Sequence, residues 1–288
     1  MTRAKANRCN NFKLGIMNVR MFSIMTILFA SILFSSFNNS IPVEGMTVKD
    51  RFQTPVGYER TNEAKNSFAS YLRNLPLKPS GTVVKYYNGS TKSNRNIYDA
   101  VVDLPIGNKD LHQCADAIMR LRADYFYAQK EYDKIHFNFT NGFRIDYSKW
   151  RQGYRIAVKG NKTSWVKTAK ASDSQEDYWK YLEMVFNYAG TASLAKEMNT
   201  IPISNMQIGD VFIKGGFPGH AVIVVDMATN GNKKIFLLAQ SYMPAQELQI
   251  LINPSISSNN KVCWYSADNL STLETPEWTF KFSELKRF

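Results

Sequence analysis

The pattern of apolar positions predicts three helices. The clearest one extends from Asp110 to Gln129, where apolar residues recur every three or four positions and form one face. This face comprises Leu111, Cys114, Ala115, Ile118, Leu121 and Tyr125. Asp110 is the predicted N-cap, because a carboxylate can accept the free N–H groups of a first turn. The other two helices are predicted over residues 63–75, before two prolines, and 175–188, before Gly190.

Continuous apolar runs predict buried strands in the second half of the chain. Residues 208–213 form one run, a glycine-rich loop follows, and His220 opens the next run, HAVIVVDMA. An Asn-Gly-Asn turn then leads to a third run over 235–241. Further strands are predicted over 82–87, over 100–104 and in an aromatic-rich stretch, 135–172. Together these elements predict a single α+β domain over residues 44–288.

Residues 1–43 have a different pattern. Their first 20 positions hold five basic residues and no acidic one, and an uncharged run of 17 residues follows from Met21 to Phe37. This order is typical of an export signal, and the run is at the short limit for crossing a membrane. The segment is therefore predicted to be either a cleaved signal peptide or an N-terminal membrane anchor. Both alternatives predict that the protein lies in the periplasm or on the outer face of the cytoplasmic membrane. The protein is expected to contact the membrane only through this segment, and only if the segment is retained.

Charge and composition limit the classes of partner and cofactor that the sequence predicts. The chain has a net charge of +12, but residues 44–288 contribute only +7, without a dense basic block. No nucleic-acid motif accompanies this charge, so no nucleic-acid partner is predicted. The sequence has no phosphate-binding glycine loop, and none of its three histidines lies at metal-ligand spacing from another candidate. It therefore predicts no cofactor and no metal, and it leaves the oligomeric state undetermined.

Two cysteines, Cys114 and Cys263, remain after residue 43. In an oxidising compartment they could form one disulfide. As a free thiol, either cysteine could be a nucleophile. Cys114 would act from near the start of the clearest helix. Cys263 would act in a permuted arrangement, in which the catalytic histidine precedes the cysteine along the chain. A buried, inert Cys114 on the core face of its helix is the remaining alternative.

Cys114, His220 and Gln240 form a candidate catalytic set. A thiol near a helix N-terminus faces the positive end of the helix dipole, and a neighbouring imidazole can take its proton. Pairing of the two long strands brings the start of one opposite the end of the other, so Gln240 can orient the imidazole of His220. Gln113 is a candidate donor to an oxyanion. Tyr242, after the second strand, is expected to line a substrate groove.

The segment GDVFI, the glycine-rich loop and Gly219-His220 before an apolar strand resemble the histidine-bearing part of papain-like NlpC/P60 and CHAP cysteine hydrolases. In those families a cysteine at a helix start precedes the histidine, and a polar residue on the next strand orients the ring. The resemblance implies a papain-like core, in which a helix packs on a small antiparallel sheet or half-barrel, with the aromatic-rich stretch as an insertion. It also implies hydrolysis of a peptide or amide bond, with a peptide or glycopeptide of the cell envelope as substrate.

Longer strings resemble an uncharacterised family of exported bacterial proteins, a domain of unknown function. The strings are QCADAIMRLRA, FNFTNGF, GGFPGHAVIVVD and FLLAQSYMPAQE. This resemblance implies no activity, so two other hypotheses stay open. One is a non-catalytic module that binds glycan or peptide on aromatic residues such as Trp150, and the other is a structural envelope protein. His112 and His136 are expected to be structural, with His112 exposed on its helix.

Overall fold

The computed structural model describes residues 46–256, 261–268 and 271–288. The predictions for residues 1–43 therefore lie outside the described residues. Among the described residues, no helix has the length and apolar character needed to span a membrane.

Six α-helices occur in the described part of the chain. They are α1 (Val48–Arg51), α2 (Phe68–Arg73), α3 (Cys114–Ala128), α4 (Tyr147–Trp150), α5 (Gln175–Tyr188) and α6 (Thr191–Glu197). Short 3-10 turns occur at Tyr132–Lys134, Ile203–Asn205 and Phe282–Glu284. The prediction of a helix over 175–188 is confirmed, and its start follows from an N-cap at Ser174, whose hydroxyl accepts a first-turn N–H at 3.2 Å.

The other two predicted helices begin later than expected. Helix α2 begins after Ser67, which acts as the N-cap by accepting a backbone N–H of the first turn at 3.1 Å. Helix α3 begins at Cys114, because the carboxylate of Asp110 accepts the backbone N–H of Ala245 at 2.7 Å instead of capping the helix. The prediction of Asp110 as N-cap is therefore wrong. The correction makes Cys114 the first residue of α3.

Fifteen strands occur in the same described ranges. They are β1 (Glu59–Arg60), β2 (Tyr98–Val101), β3 (His136–Asn138), β4 (Arg144–Asp146), β5 (Tyr154–Lys159), β6 (Lys162–Lys167), β7 (Asn199–Thr200), β8 (Val211–Lys214), β9 (His220–Asn230), β10 (Lys233–Gln240), β11 (Gln249–Leu251), β12 (Tyr265–Ser266), β13 (Thr272–Thr275), β14 (Trp278–Lys281) and β15 (Leu285–Arg287). Nine of them form one antiparallel sheet in the order β2-β11-β10-β9-β8-β15-β7, with β1 paired to β9 and β12 to β10. The other six form the hairpins β3–β4, β5–β6 and β13–β14.

This architecture confirms the α+β class and corrects two details. The main sheet is larger than the small sheet or half-barrel that was expected. Residues 82–87 do not form a predicted strand; this stretch makes only isolated bridges, through Lys85 and Tyr86.

The β9–β10 hairpin forms the centre of the sheet. Strand β9 is rich in β-branched residues, and both strands lie almost wholly in the interior. The turn between them has Gly231 at φ +55°, the left-handed conformation that hairpin turns of this type require. Helix α3 packs against β9, so the start of the helix and the start of the strand share one end of the core. Each fully buried Val or Ile in this layer contributes about 1.5–3 kcal/mol.

A buried ion cluster connects β1 and α2 to β9, the central strand of the sheet. Asp226, in the middle of β9, is fully buried. Its carboxylate accepts from Nε of Arg60 at 2.8 Å and from Nε of Arg73 at 2.6 Å. Because both arginines approach one carboxylate, removal of that carboxylate leaves two cations in a poorly solvated place.

The aromatic-rich stretch folds into a second packed layer that includes β3 to β6 and α4. Four aromatic side chains of this stretch are buried and are not available to a ligand: Phe137, Phe139, Tyr147 and Trp150. The ring of Tyr147 lies 5.1 Å from that of Tyr181 on α5. These rings therefore stabilise the insertion from inside.

Candidate functional site

The thiol of Cys114 lies at the start of α3. The residue before it, Gln113, is the N-cap, and its backbone N–H donates to the carboxylate of Asp116 at 3.0 Å. The unpaired N–H groups of a first helical turn and the helix dipole both favour negative charge at this point. The local fold thus places a nucleophilic residue type beside backbone N–H groups that can donate to a negative charge.

The surroundings of the sulfur keep the thiol protonated in the unliganded protein. Burial raises the pKa of Cys114 to about 11, and nearby Asp116 adds to the increase. The backbone N–H groups of Ala115, Ala221 and Cys114 itself act in the opposite direction on this pKa, because they can hydrogen-bond to the thiolate. Ala221 follows His220 in β9. The sulfur of the helix is therefore in contact with the start of the strand.

His220 reaches the site through a tight glycine-rich loop, residues 215–219. At Gly219 an added Cβ would lie 2.4 Å from the backbone oxygen of Gly216 and 2.4 Å from the hydroxyl of Thr191. Since such separations are too short for any side chain, only glycine allows the loop to close this tightly. The loop leads directly into β9, where His220 pairs with Lys214 of β8.

The imidazole of His220 is packed among aromatic rings. The rings of Tyr242, Trp278 and Phe280 lie 4.7, 5.6 and 5.8 Å from it, centroid to centroid. This burial lowers the pKa of His220 to about 4, against a smaller opposite effect of its hydrogen bond with Gln240. The ring is therefore neutral at pH 7 and can accept a proton.

Gln240 is the hydrogen-bond partner of this ring. Its Oε1 lies 2.8 Å from Nε2 of His220, across the β9–β10 hairpin. The Nε2 amide of Gln240 donates to a carboxylate oxygen of Glu277 at 2.6 Å, and Nζ of Lys92 donates to both oxygens of Glu277 at 2.9 Å. The sequence reasoning missed Glu277 and Lys92. Each lies in an irregular segment with no periodicity or motif, so no sequence pattern could have identified it.

A pocket of about 350 Å³ opens in front of these groups. It is lined by Cys114 and His220, by the first turn of α3, by the glycine-rich loop, and by Phe186, Tyr242, Met243 and Trp278. Two apolar side chains at its border are exposed: Phe217 by 96% and Met243 by 56%. The pocket thus combines polar side chains, including Cys114 and His220, with apolar ones, as in many sites for organic ligands.

The structure brings most of the predicted site residues together. Cys114, His220, Gln113 and Tyr242 line the pocket, and Gln240 contacts Nε2 of the imidazole of His220. The side-chain amide of Gln113 donates to Asp110 at 3.1 Å, which leaves one of its two N–H groups for a ligand.

Trp150 lies elsewhere. This predicted substrate-binding residue is buried, and its indole N–H donates to the backbone oxygen of Asp177 at 3.2 Å. It does not line the pocket. The structure therefore places Trp150 in the core of the insertion.

The structure also decides three other predictions: the disulfide, the permuted site with Cys263, and the exposure of His112. Both Cys114 and Cys263 are free thiols, so the disulfide alternative is not realised. Cys263 is buried and does not line the pocket, which separates it from the imidazole that a permuted site would need. His112 is fully buried against Phe186, so the prediction of an exposed His112 is wrong.

Within the described residues, no group of three or more His, Cys, Asp or Glu side chains could hold a metal ion.

Comparison with known proteins gives a family but no activity. A family model described as "Domain of unknown function (4846)" matches residues 48–287, so the chain belongs to that family. Neither a curated protein nor a solved structure matches the chain.

Proposed function

We propose that this member of a family of unknown function is an exported, papain-like cysteine hydrolase that cleaves a peptide or amide bond. The single observation that carries the proposal is the constellation of Cys114, His220 and Gln240. A cysteine begins a helix, and a histidine begins the strand that the helix packs against. Both line one pocket, and an amide contacts Nε2 of the histidine ring. Nucleophile, base and orienting group are the parts that thiol-dependent acyl transfer requires.

The chemistry follows from the protonation states. At pH 7 the Cys114 thiol and the His220 imidazole are both neutral, because the pKa of the thiol is raised and that of the ring is lowered. In the proposed reaction the thiol proton therefore moves to the ring as the sulfur attacks the carbonyl carbon. The imidazolium then gives this proton to the leaving amine, and a thioester remains on Cys114. Water, deprotonated by His220, hydrolyses the thioester and restores the thiol.

The negative oxygen of the tetrahedral intermediate needs hydrogen-bond donors. We assign this role to backbone N–H groups of the first turn of α3 and to the free amide N–H of Gln113, because the residues that carry them line the pocket. Removal of one such donor from a hydrolase slows its reaction by about 10²–10³. Tyr242 and the exposed apolar residues of the border would contact the substrate on either side of the scissile bond.

The proposed substrates are peptides or glycopeptides of the cell envelope. The supporting feature is the basic and apolar pattern of residues 1–43, which predicts export to the periplasm or to the outer face of the cytoplasmic membrane. The proposed protein contacts a membrane only through that segment, if it is retained, and it uses no nucleic acid and no cofactor.

A non-catalytic binding module is the alternative, and one observation favours it. The raised pKa of Cys114 leaves little thiolate at pH 7, as in a cysteine that is part of a binding surface. The exposed Phe217 and Met243 would then hold an apolar group of a peptide or glycan ligand at the pocket border.

Cleavage and binding assays on the full chain separate these functions. Envelope peptides and solubilised envelope glycopeptides are incubated with the wild type and with Cys114→Ala, and the products are identified by mass spectrometry. We expect new carboxyl termini with the wild type, none with Cys114→Ala, and unchanged cleavage by the matched control Cys263→Ala. Equal cleavage by Cys114→Ala would overturn the assignment of the nucleophile. Saturable binding without cleavage would establish the binding module, and neither binding nor cleavage would overturn the proposed substrate class.

A further inference from the structure

Three side chains are connected in series behind the imidazole of His220. The amide of Gln240 lies between Nε2 of the ring and the carboxylate of Glu277, with hydrogen bonds of 2.8 and 2.6 Å. Lys92 then holds both carboxylate oxygens of Glu277, each at 2.9 Å. Lys92 is 5% exposed, although lysine is rarely buried without a partner.

This series determines which ring nitrogen carries the proton. An ionised carboxylate only accepts hydrogen bonds, so the NH₂ group of Gln240 must face Glu277 and its carbonyl oxygen must face His220. A carbonyl oxygen also only accepts, so Nε2 of His220 must carry the hydrogen. The lone pair is then on Nδ1, the nitrogen that Gln240 does not contact. A neutral base with its lone pair on a defined nitrogen is what the proposed proton transfer from Cys114 needs.

The same series is balanced in charge. Glu277 by itself would be an anion one amide away from the imidazole and would favour the imidazolium. Lys92 neutralises it and also acts directly, because its charge lowers the pKa of His220 in addition to the larger effect of burial. Among the described residues, the other titratable groups that line the pocket with His220 are Asp110, Cys114, Asp116 and Tyr242, whose ring lies 4.7 Å from the imidazole. The Lys92–Glu277 ion pair thus orients the amide of Gln240 without favouring the charged form of the His220 ring.

Lys92 and Glu277 come from opposite parts of the chain. Lys92 lies in the irregular segment before β2, and Glu277 lies in the turn between β13 and β14, next to Trp278 of the pocket wall. Their ion pair joins this β13–β14 hairpin, here called the terminal hairpin, to the segment before β2.

We propose that Glu277 and Lys92 are positioning residues of this site: Glu277 orients the amide of Gln240 and so keeps the proton on Nε2 of His220, and Lys92 holds and neutralises Glu277. Their importance for catalysis rests on the proposed function, whereas their effect on the ring does not. A purely structural pair would hold the terminal hairpin but leave the proton of the ring unaffected.

The test is the ¹⁵N NMR spectrum of the histidine rings in the full chain, which has three histidines to resolve. The wild type is expected to show His220 with a protonated Nε2 and an unprotonated Nδ1. Glu277→Gln can offer either an N–H or an oxygen to Gln240, so the amide can flip and the spectrum is expected to show a mixture of tautomers. Lys92→Met leaves Glu277 unpaired, so we expect the ring to take up its proton about one pH unit higher.

The matched control is Lys78→Met, which breaks another partly buried Lys–Glu pair, at 2.5 Å from Glu247. It is expected to leave the ring signals of His220 unchanged. If peptide cleavage is observed, Glu277→Gln is expected to slow it by about 10- to 100-fold, by analogy with the loss of an outer-shell partner that orients a metal-bound histidine. An unchanged His220 tautomer in folded Glu277→Gln, or equal changes in Lys78→Met, would overturn the positioning roles. A tautomer change in a protein that cleaves no peptide would leave these roles intact and count against the hydrolase alone.

Discussion

The reactivity of Cys114 towards a thiol reagent tests the electrostatic description of the site. A pKa of about 11 leaves about 10⁻⁴ of the thiol ionised at pH 7, whereas a thiol with the ordinary pKa of 9.0 is about 10⁻² ionised. Because the thiolate is the reacting species, we expect iodoacetamide to modify Cys114 about 100-fold more slowly than an ordinary exposed cysteine at pH 7. The rate is expected to increase about tenfold for each pH unit from 7 to 10.

The assay is alkylation of the folded full chain followed by peptide mass spectrometry, which measures Cys114 and Cys263 separately. His220→Ala is the informative variant. If the thiol of Cys114 and the imidazole of His220 are both neutral in the resting protein, alkylation of Cys114 is already slow, and removal of the ring does not slow it further. A wild-type rate with its midpoint below pH 9 that is lost in His220→Ala would refute the reasoning, since it would show a preformed thiolate–imidazolium pair.

Three further predictions concern the elements that build the site. Asp226→Ala leaves Arg60 and Arg73 without their buried partner and is expected to reduce the free energy of unfolding in urea by about 3–5 kcal/mol, while exposed Asp133→Asn changes it by less than about 0.5 kcal/mol. Gly219→Ala places a methyl group 2.4 Å from two oxygen atoms, so it is expected to shift the His220 ring signals in NMR, whereas Gly190→Ala, whose added methyl group meets open space, leaves them in place. The His220 ring is expected to remain neutral down to about pH 4 in an NMR titration. The unfolded chain binds this proton near pH 6.5, so the contribution of His220 to stability is complete above about pH 6.5 and decreases as the pH falls towards 4. A loss of stability on raising the pH from about 4 to about 6.5 would contradict the assignment.

The sequence by itself determined the elements that depend on local pattern. The apolar face of α3, the helix over 175–188 and the β9–β10 hairpin with its Asn-Gly turn are all present in the structure. The reason is that helix and strand periodicity, capping and turn preferences act between residues close in sequence. The order Cys114, His220, Gln240 along these elements was likewise readable, because a hairpin brings the start of one strand to the end of the next.

Only the tertiary structure decided what surrounds those residues. Asp110 leaves the expected N-cap position because the backbone of Ala245, distant in sequence, offers it an N–H. His112 and Trp150 are buried because α5 packs over them. Lys92 and Glu277 meet behind Gln240 although neither belongs to a recognisable motif. Contacts of this kind depend on how the helices and strands pack. The resulting burial determines the protonation of the Cys114 thiol and the His220 imidazole. The chemical state of the site therefore follows from the packed fold and not from any local sequence pattern.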